Sequence, residues 1–424
     1  MRIVISVLSI MLFSGCSSCS SGRAQKDGSP GNDSGTGDVH IGSDADSDTD
    51  GDIDGDSDVD VDTDTDVDTD SDSDTDGDSD GGCTRWCPPK GCVRLYDFYV
   101  NPGPTIQSSW NENYALWISK NDWNMYRYDV KNGNTTTIQN RFMMESVSIG
   151  GDTIFWQEPT IFPDGGAASG LEVFASDANG KNIRQVTHND WSEWCYTLKD
   201  DVLYCWYEKS GAQTELRILY ANAGTDKTLS QKINLSNTCA DGDGNYIVFC
   251  EEGTGGVLEM KLYDEADGGT PKSIGVTDNV WVALDNEKVY YSKLKTSGDG
   301  MDIWVYDIKT GTNQAVINAA GKQWYADVDG YVMMYKYRDT VSETNPSRIF
   351  LYDLDTKVER VFTPKIANYS SQGVHGKYLS FIHDGYNDQV GSNEYYVYVC
   401  DLEAGGFVDS TGHVIPEGTA DGGK

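Results

Sequence analysis

The strongest constraint on this chain is a repeat. Beyond Cys92, an aromatic or apolar run ends again and again in a turn rich in Asp, Asn and Gly. The instances are Tyr128-Asp129 to Gly133, Ser176-Asp177 to Gly180, Tyr220-Ala221-Asn222 to Gly224 and Tyr263-Asp264 to Gly268. They continue with Tyr306-Asp307 to Gly311, Tyr352-Asp353 to Lys357 and Val399-Cys400-Asp401 to Gly405. Measured from the Asp or Asn, successive units lie 48, 45, 42, 43, 46 and 48 residues apart. The runs between the turns are short and β-branched or aromatic, which reads as strands joined by tight turns. Seven units at this period predict an all-β fold: a single β-propeller of about seven four-stranded blades.

One unit shows how the pattern builds a blade. Val280 to Leu284 reads as the inner strand, with a turn at Asp285-Asn286, and Val289 to Lys293 as the second. Asp302 to Asp307 alternates Ile303, Val305 and Asp307 against Trp304 and Tyr306. A turn at Thr310-Gly311 then leads to an outer strand near Asn313 to Ile317. Each blade packs on two neighbours, so both faces are expected to be apolar or aromatic; 25 Tyr and 11 Trp supply this.

The run Phe174-Ala175-Ser176-Asp177-Ala178-Asn179-Gly180-Lys181-Asn182-Ile183-Arg184-Gln185-Val186-Thr187 resembles the repeat of TolB-type propellers, which are related to WD-repeat propellers. The other units match more loosely. The family's Trp-Ser-Pro-Asp-Gly turn is replaced by turns such as Asp243-Gly244 and Asp329-Gly330, and the α/β domain that precedes the propeller in TolB is missing. The resemblance spans about residues 94 to 410 and implies a fold, not TolB's partners.

The N-terminus reads as an export signal. Arg2 is followed by an apolar stretch, Ile3 to Phe13, too short to span a bilayer as a helix. Leu12-Phe13-Ser14-Gly15-Cys16 resembles a lipobox, with Phe13 where Leu is usual. Residues 1–15 are thus expected to be a lipoprotein signal peptide and Cys16 the acylated N-terminus, holding the protein to a membrane through its lipid. The alternative is an ordinary signal peptide cut nearby. Ser17, in place of Asp, points to the outer membrane, on its periplasmic or surface-exposed side.

Residues 16–82 then form an acidic tether. Asp occupies every even position from Asp44 to Asp80, 19 in all, so the chain's net charge of −36 leaves −17 for the rest. A segment of Ser, Gly, Asp and Thr cannot offset its ordering entropy and is expected to be disordered. The 66 residues from 17 to 82, fully extended, reach roughly 200 Å. Asp46 to Gly51 spells the start of a calcium loop, but position twelve is Ser57 rather than Glu. Weak calcium binding by the tract is expected, with no specific metal site and no cofactor. The acidic body makes nucleic acid an improbable partner.

Residues 83–424 are read as the propeller domain with an N-terminal Cys cluster. In an oxidising compartment its cysteines are candidates for disulfides. Cys195 and Cys239 fall on inner strands and Cys205 and Cys250 on second strands, so each blade pairs its own two. Cys400 is left to bond Cys83, Cys87 or Cys92 and close the ring. The free-thiol or metal alternative is weaker, because the cluster has no His at ligand spacing.

None of the five His (40, 188, 375, 383 and 413) has a paired-ligand spacing, and no catalytic set stands out. Trp194, Trp281, Trp324 and Tyr369 lie near the starts of inner strands, with Trp110 and Phe142 as looser counterparts. They either ring a channel mouth, where they stack on a glycan or anchor an envelope protein, or pack between blades. The leading function is a lipid-anchored binding or scaffolding module at the cell envelope. A carbohydrate-active propeller enzyme (glycosidase or polysaccharide lyase) and a structural envelope-assembly component are the alternatives.

Overall fold

The structure, a computed structural model, describes residues 88–418 apart from 101–107, 120–121, 123, 141–143, 145, 162–166, 189–191, 210–212, 232–238, 255–256, 279–280, 296–299, 340–346, 364–367 and 388–391. The chain divides into two units, 12–84 and 1–11 with 85–424, and every described residue belongs to the second. Cys16, Cys83, Cys87 and the acidic tract lie outside the described residues, as do Phe142 and the side chain of Tyr369.

Among the described residues the fold is all β, with no helix. Five antiparallel sheets have four strands each. Four of them are simple meanders over 108–140, 146–185, 192–230 and 240–277. The fifth combines Asn368–His375, Tyr378–Asn387 and Ser392–Asp401 with Cys92–Val100, which pairs antiparallel to Ser392–Asp401. The first strand of the fold is therefore the outer strand of the last sheet. Inner strands of successive sheets lie side by side in chain order, the arrangement of a propeller.

The expectation of about seven separate four-stranded blades needs correction. The strands over 282–317 and 322–361 belong to one eight-stranded sheet. The link is a single parallel pairing, Met301 with Lys322. Close backbone approach makes it possible: a Cβ on Gly300 would lie 2.2 Å from the Gly321 carbonyl oxygen, and both glycines have positive φ.

The repeat marker has a physical cause. Asp129, Asp177, Asp264, Asp307, Asp353 and Asp401 each use Oδ1 to accept a backbone N–H two to four residues on, at 2.8–3.1 Å. That Asx geometry turns the third strand into the fourth, and at Asp401 into the C-terminal segment. A residue with positive φ follows, as at Gly133, Gly268 and Gly311. These hydrogen bonds hold the Asp177 and Asp307 carboxyls below the usual carboxylate range.

The core lies between sheets. Val332 and Met334 pack toward Val374, Leu379 and Phe381 of the closing sheet. The alternate residues Met333 and Tyr335 pack toward Tyr290, Ile303 and Val305. Side chains of one strand thus serve two cores, which explains the absence of a polar face.

Polar latches join the inner strands. Leu284 N donates to Asp241 Oδ2 at 2.6 Å, and Val374 N donates to Asp327 Oδ2 at 2.6 Å. Two residues further along, Asn286 N and Gly376 N donate to Asp243 and Asp329, each at 2.8 Å. Ser109 Oγ accepts from Ile149 N at 3.2 Å in the same way. At the rim, cations reach the next sheet: Arg127 to Ala178 O, Arg184 to Ala221 O, Lys227 to Gly268 O and Arg360 to Gly406 O. Removing Asp241 leaves the Leu284 N–H without its acceptor inside the protein. Asp241→Ala is expected to cost about 1–3 kcal/mol, against under about 0.5 for the half-buried Asp243→Ala, whose hydrogen bond is open to water. Urea unfolding of both variants decides, and equal costs would contradict the latch.

Three disulfides lie among the described residues: Cys92–Cys400, Cys195–Cys205 and Cys239–Cys250. The first joins strands Cys92–Val100 and Ser392–Asp401 across a sequence separation of 308 residues. Cys195–Cys205 joins inner and second strands within a sheet, and Cys239–Cys250 joins the residue just before the inner strand Ala240–Asp243 to the second strand.

Candidate functional site

In a meander, the hairpins from first to second and third to fourth strand leave one end of the sheet. The second-to-third connection and the link to the next sheet leave the other. Trp194 and Trp324 sit at this second end, each the third residue of its inner strand, Ser192–Lys199 and Lys322–Asp329. Trp281 immediately precedes its strand, Val282–Asp285. Trp194 and Trp281 are half-buried and Trp324 is buried. Tyr369 occupies the corresponding end of Asn368–His375, opposite His383.

Trp110 stands apart. It ends its strand at the first hairpin, is buried, and meets His375 edge-on at 4.6 Å across the seam of the ring.

Trp324 gathers cations. Lys322, Arg338 and Lys336 lie 5.0, 5.2 and 5.6 Å from its ring centroid. The strand register explains the cluster: Lys322 is opposite Arg338, and Trp324 is opposite Lys336. Each contact is a cation–π interaction, strengthened because Lys336 and Arg338 are buried. The result is a group of three cations around one ring at one sheet end of an acidic protein. Repeat alignment by aromatic identity missed it, because two of the three cations, Lys336 and Arg338, come from the second strand.

The His residues have separate surroundings. His188 is exposed. His413 Nδ1 lies 3.0 Å from Asp353 Oδ2, and Tyr331 stacks on its ring at 4.2 Å. Asp353 is fully buried, which raises its carboxyl. Hydrogen bonds from Thr356, Val414 and Asp355 N–H and from His413 outweigh that and hold it low. This contact fastens the C-terminal segment, whose Phe407, Val408 and Val414 join the closing core.

Burial pushes the His383 imidazole down to about 4. The unfolded chain, with an ordinary pKa of about 6.5, therefore takes up a proton before the folded one does. Stability is full above about pH 6.5 and is lost as pH falls toward about 4, by up to about 3 kcal/mol. In His383→Gln this slope should vanish. Urea unfolding at pH 7, 5.5 and 4.5 measures it, and equal slopes in both proteins would rule out His383 as the cause.

Glu158 and Glu172 oppose each other in register and are both buried, with Trp156 Nε1 and Thr187 Oγ1 donating to them at 3.3 and 2.6 Å. On the inner strands, Asp241 and Asp327 hold the neighbouring backbone.

No family model matches the chain, and no curated protein matches it. Solved structures do. The β-propeller domain of the Trilobed protease from Pyrococcus furiosus superposes with a TM-score of 0.50 at 8% identity, covering 73% of this chain and 96% of that one. TolB from Acinetobacter baumannii gives a TM-score of 0.38 at 12% identity, covering 70% and 81%. An acylaminoacyl peptidase from Pyrococcus horikoshii gives 0.45 at 14% identity, covering 67% of this chain. This chain spans about half that peptidase's length, 51%. At these identities the likeness is one of fold: the chain has a β-propeller, with TolB among its structural neighbours.

Proposed function

We propose that the protein is an extracytoplasmic β-propeller, held at the cell envelope by acylated Cys16, that works as a binding or scaffolding module. The observation that carries this reading is the set of three disulfides, one of them fastening the first strand of the ring to the last sheet. Such bonds persist in oxidising compartments, where they stiffen a scaffold. In this reading the eight-stranded sheet is two blades joined at one residue pair, giving seven. The acidic segment 17–82 spaces the ring from the outer membrane. The sheet end carrying Trp194, Trp281 and the Trp324 cation cluster faces an envelope protein or glycan. Commitment of Asp241 and Asp327 to latches supports binding over acid–base chemistry on the inner strands.

Mass spectrometry of the mature protein is expected to find an acylated Cys16 at its N-terminus. Cys16→Ala should appear in the soluble fraction. Unchanged membrane association of that variant would overturn the anchor.

A further inference from the structure

Four outer strands carry a cation at one equivalent position, and at one of them the tether to the next sheet is not made. Arg184, Lys227, Lys272 and Arg360 occupy the same position on their outer strands. They pair with Ala175, Ile218, Leu262 and Leu351, each two residues before the start of its turn. Arg184, Lys227 and Arg360 each donate to a carbonyl of the following sheet. Lys272 is exposed and makes no hydrogen bond or ion pair among the described residues.

Where the tether fails, a cleft of about 370 Å³ opens between the 240–277 strands and the 282–317 strands. Leu262 and Ile274 form an apolar floor, and Tyr246 and Tyr306 are half-buried along it. Asp267 and Lys272 stand at the lip. The side chains of Asp267, Tyr246 and Tyr306, like that of Lys272, make no hydrogen bond or ion pair among the described residues. The site therefore combines aromatic surface, an acceptor and donors that the fold leaves unused. Its volume falls within the range of small-ligand pockets, about 300–1,000 Å³.

We propose that this cleft binds one unit of a neutral saccharide. A tyrosine ring offers an apolar face with a polar edge, which matches the apolar face and equatorial hydroxyls of a pyranose. Asp267 accepts from a sugar hydroxyl, and Lys272 donates to a hydroxyl or ring oxygen in place of the carbonyl that its counterparts hold. Lys272 offsets Asp267 at the lip, and Asp264, also in the lining, accepts the Ala266 N–H, so the lining keeps no excess positive charge to attract an anionic ligand. The chain's charge of −36 works against an acidic polymer. The cleft is on the rim, apart from the sheet end considered above, so the two are tested separately.

Calorimetric titration of the full chain with maltohexaose, cellohexaose, laminarihexaose, mannohexaose and chitohexaose tests the proposal, with hexagalacturonate as the acidic control. At least one neutral oligosaccharide is expected to bind saturably. Thr270→Trp, which fills the cleft, and the double variant Asp267→Ala, Lys272→Ala are each expected to weaken it by about tenfold or more. The double variant removes two exposed side chains without bonds, so its unfolding midpoint should not move, and it decides the matter if Thr270→Trp misfolds. Absence of saturable binding across the neutral panel would overturn the proposal. So would binding untouched by the double variant, or hexagalacturonate binding more tightly than every neutral sugar.

Discussion

The paired change Cys92→Ala, Cys400→Ala is expected to lower stability by about 5–6 kcal/mol, a large part of the roughly 5–15 kcal/mol that a domain typically has. The bridge spans a sequence separation of 308 residues, and the chain entropy it removes from the unfolded state grows with that length. The Cys239–Cys250 bridge spans only 11, for which the same relation gives about 2.7 kcal/mol. Replacing both partners in each case avoids a stray thiol, so the two double variants compare directly. Position adds to the contrast: Cys92–Cys400 fastens the outer strand of the closing sheet, where the ring returns to its beginning. Guanidinium unfolding of both variants measures the difference. A Cys92/Cys400 variant no weaker than the Cys239/Cys250 variant would mean that the seam holds without its bridge.

The second large effect is expected at Phe381. The ring is fully buried in the core between the closing sheet and the 322–361 strands. It stacks on Tyr398 at 5.1 Å and meets Phe362 edge-on at 5.8 Å. Phe362 in turn contacts Phe407 of the C-terminal segment at 4.8 Å. Phe381→Ala removes a whole aromatic volume from a site walled by sheet backbone, which cannot collapse inward. The expected cost is about 3–5 kcal/mol. Phe381→Leu, which fills most of the space, should recover more than half of it. Loss of the C-terminal contact should accompany Phe381→Ala, read as faster proteolysis between residues 402 and 416. A cost below about 1 kcal/mol would show that this core repacks freely.

The fold was legible where one residue type solves one backbone problem. Asp at the third-to-fourth turn accepts the N–H groups that the turn exposes, and Gly four residues on supplies the positive φ, as at Asp264 and Gly268. That chemistry recurs in every sheet but the one over 192–230, where Tyr220-Ala221-Asn222 stands instead, so its spacing reads as a period. Fusion of the 282–317 and 322–361 strands was not legible. It depends on Gly300 and Gly321 meeting in space, and glycines at loop ends look alike in a sequence. The inner-strand latches were spelled out as Asp241-Gly242-Asp243 and Asp327-Val328-Asp329. Their meaning is visible only once the next strand's N–H groups lie beside them. Choosing aromatics by type grouped Trp110 with Trp194 and Trp324, although Trp110 is at the opposite end of its strand. The cations around Trp324 and the free Lys272 depend on which strand pairs with which, and a single unit of the repeat does not show that.

Peptide mapping without reduction, on protein purified from its native cells, tests the disulfide-closed ring most directly. The closed-ring reading predicts linked peptides joining Cys92 to Cys400, Cys195 to Cys205 and Cys239 to Cys250. Recovery of Cys400 as a free thiol, or a peptide joining Cys195 to Cys239, would contradict it.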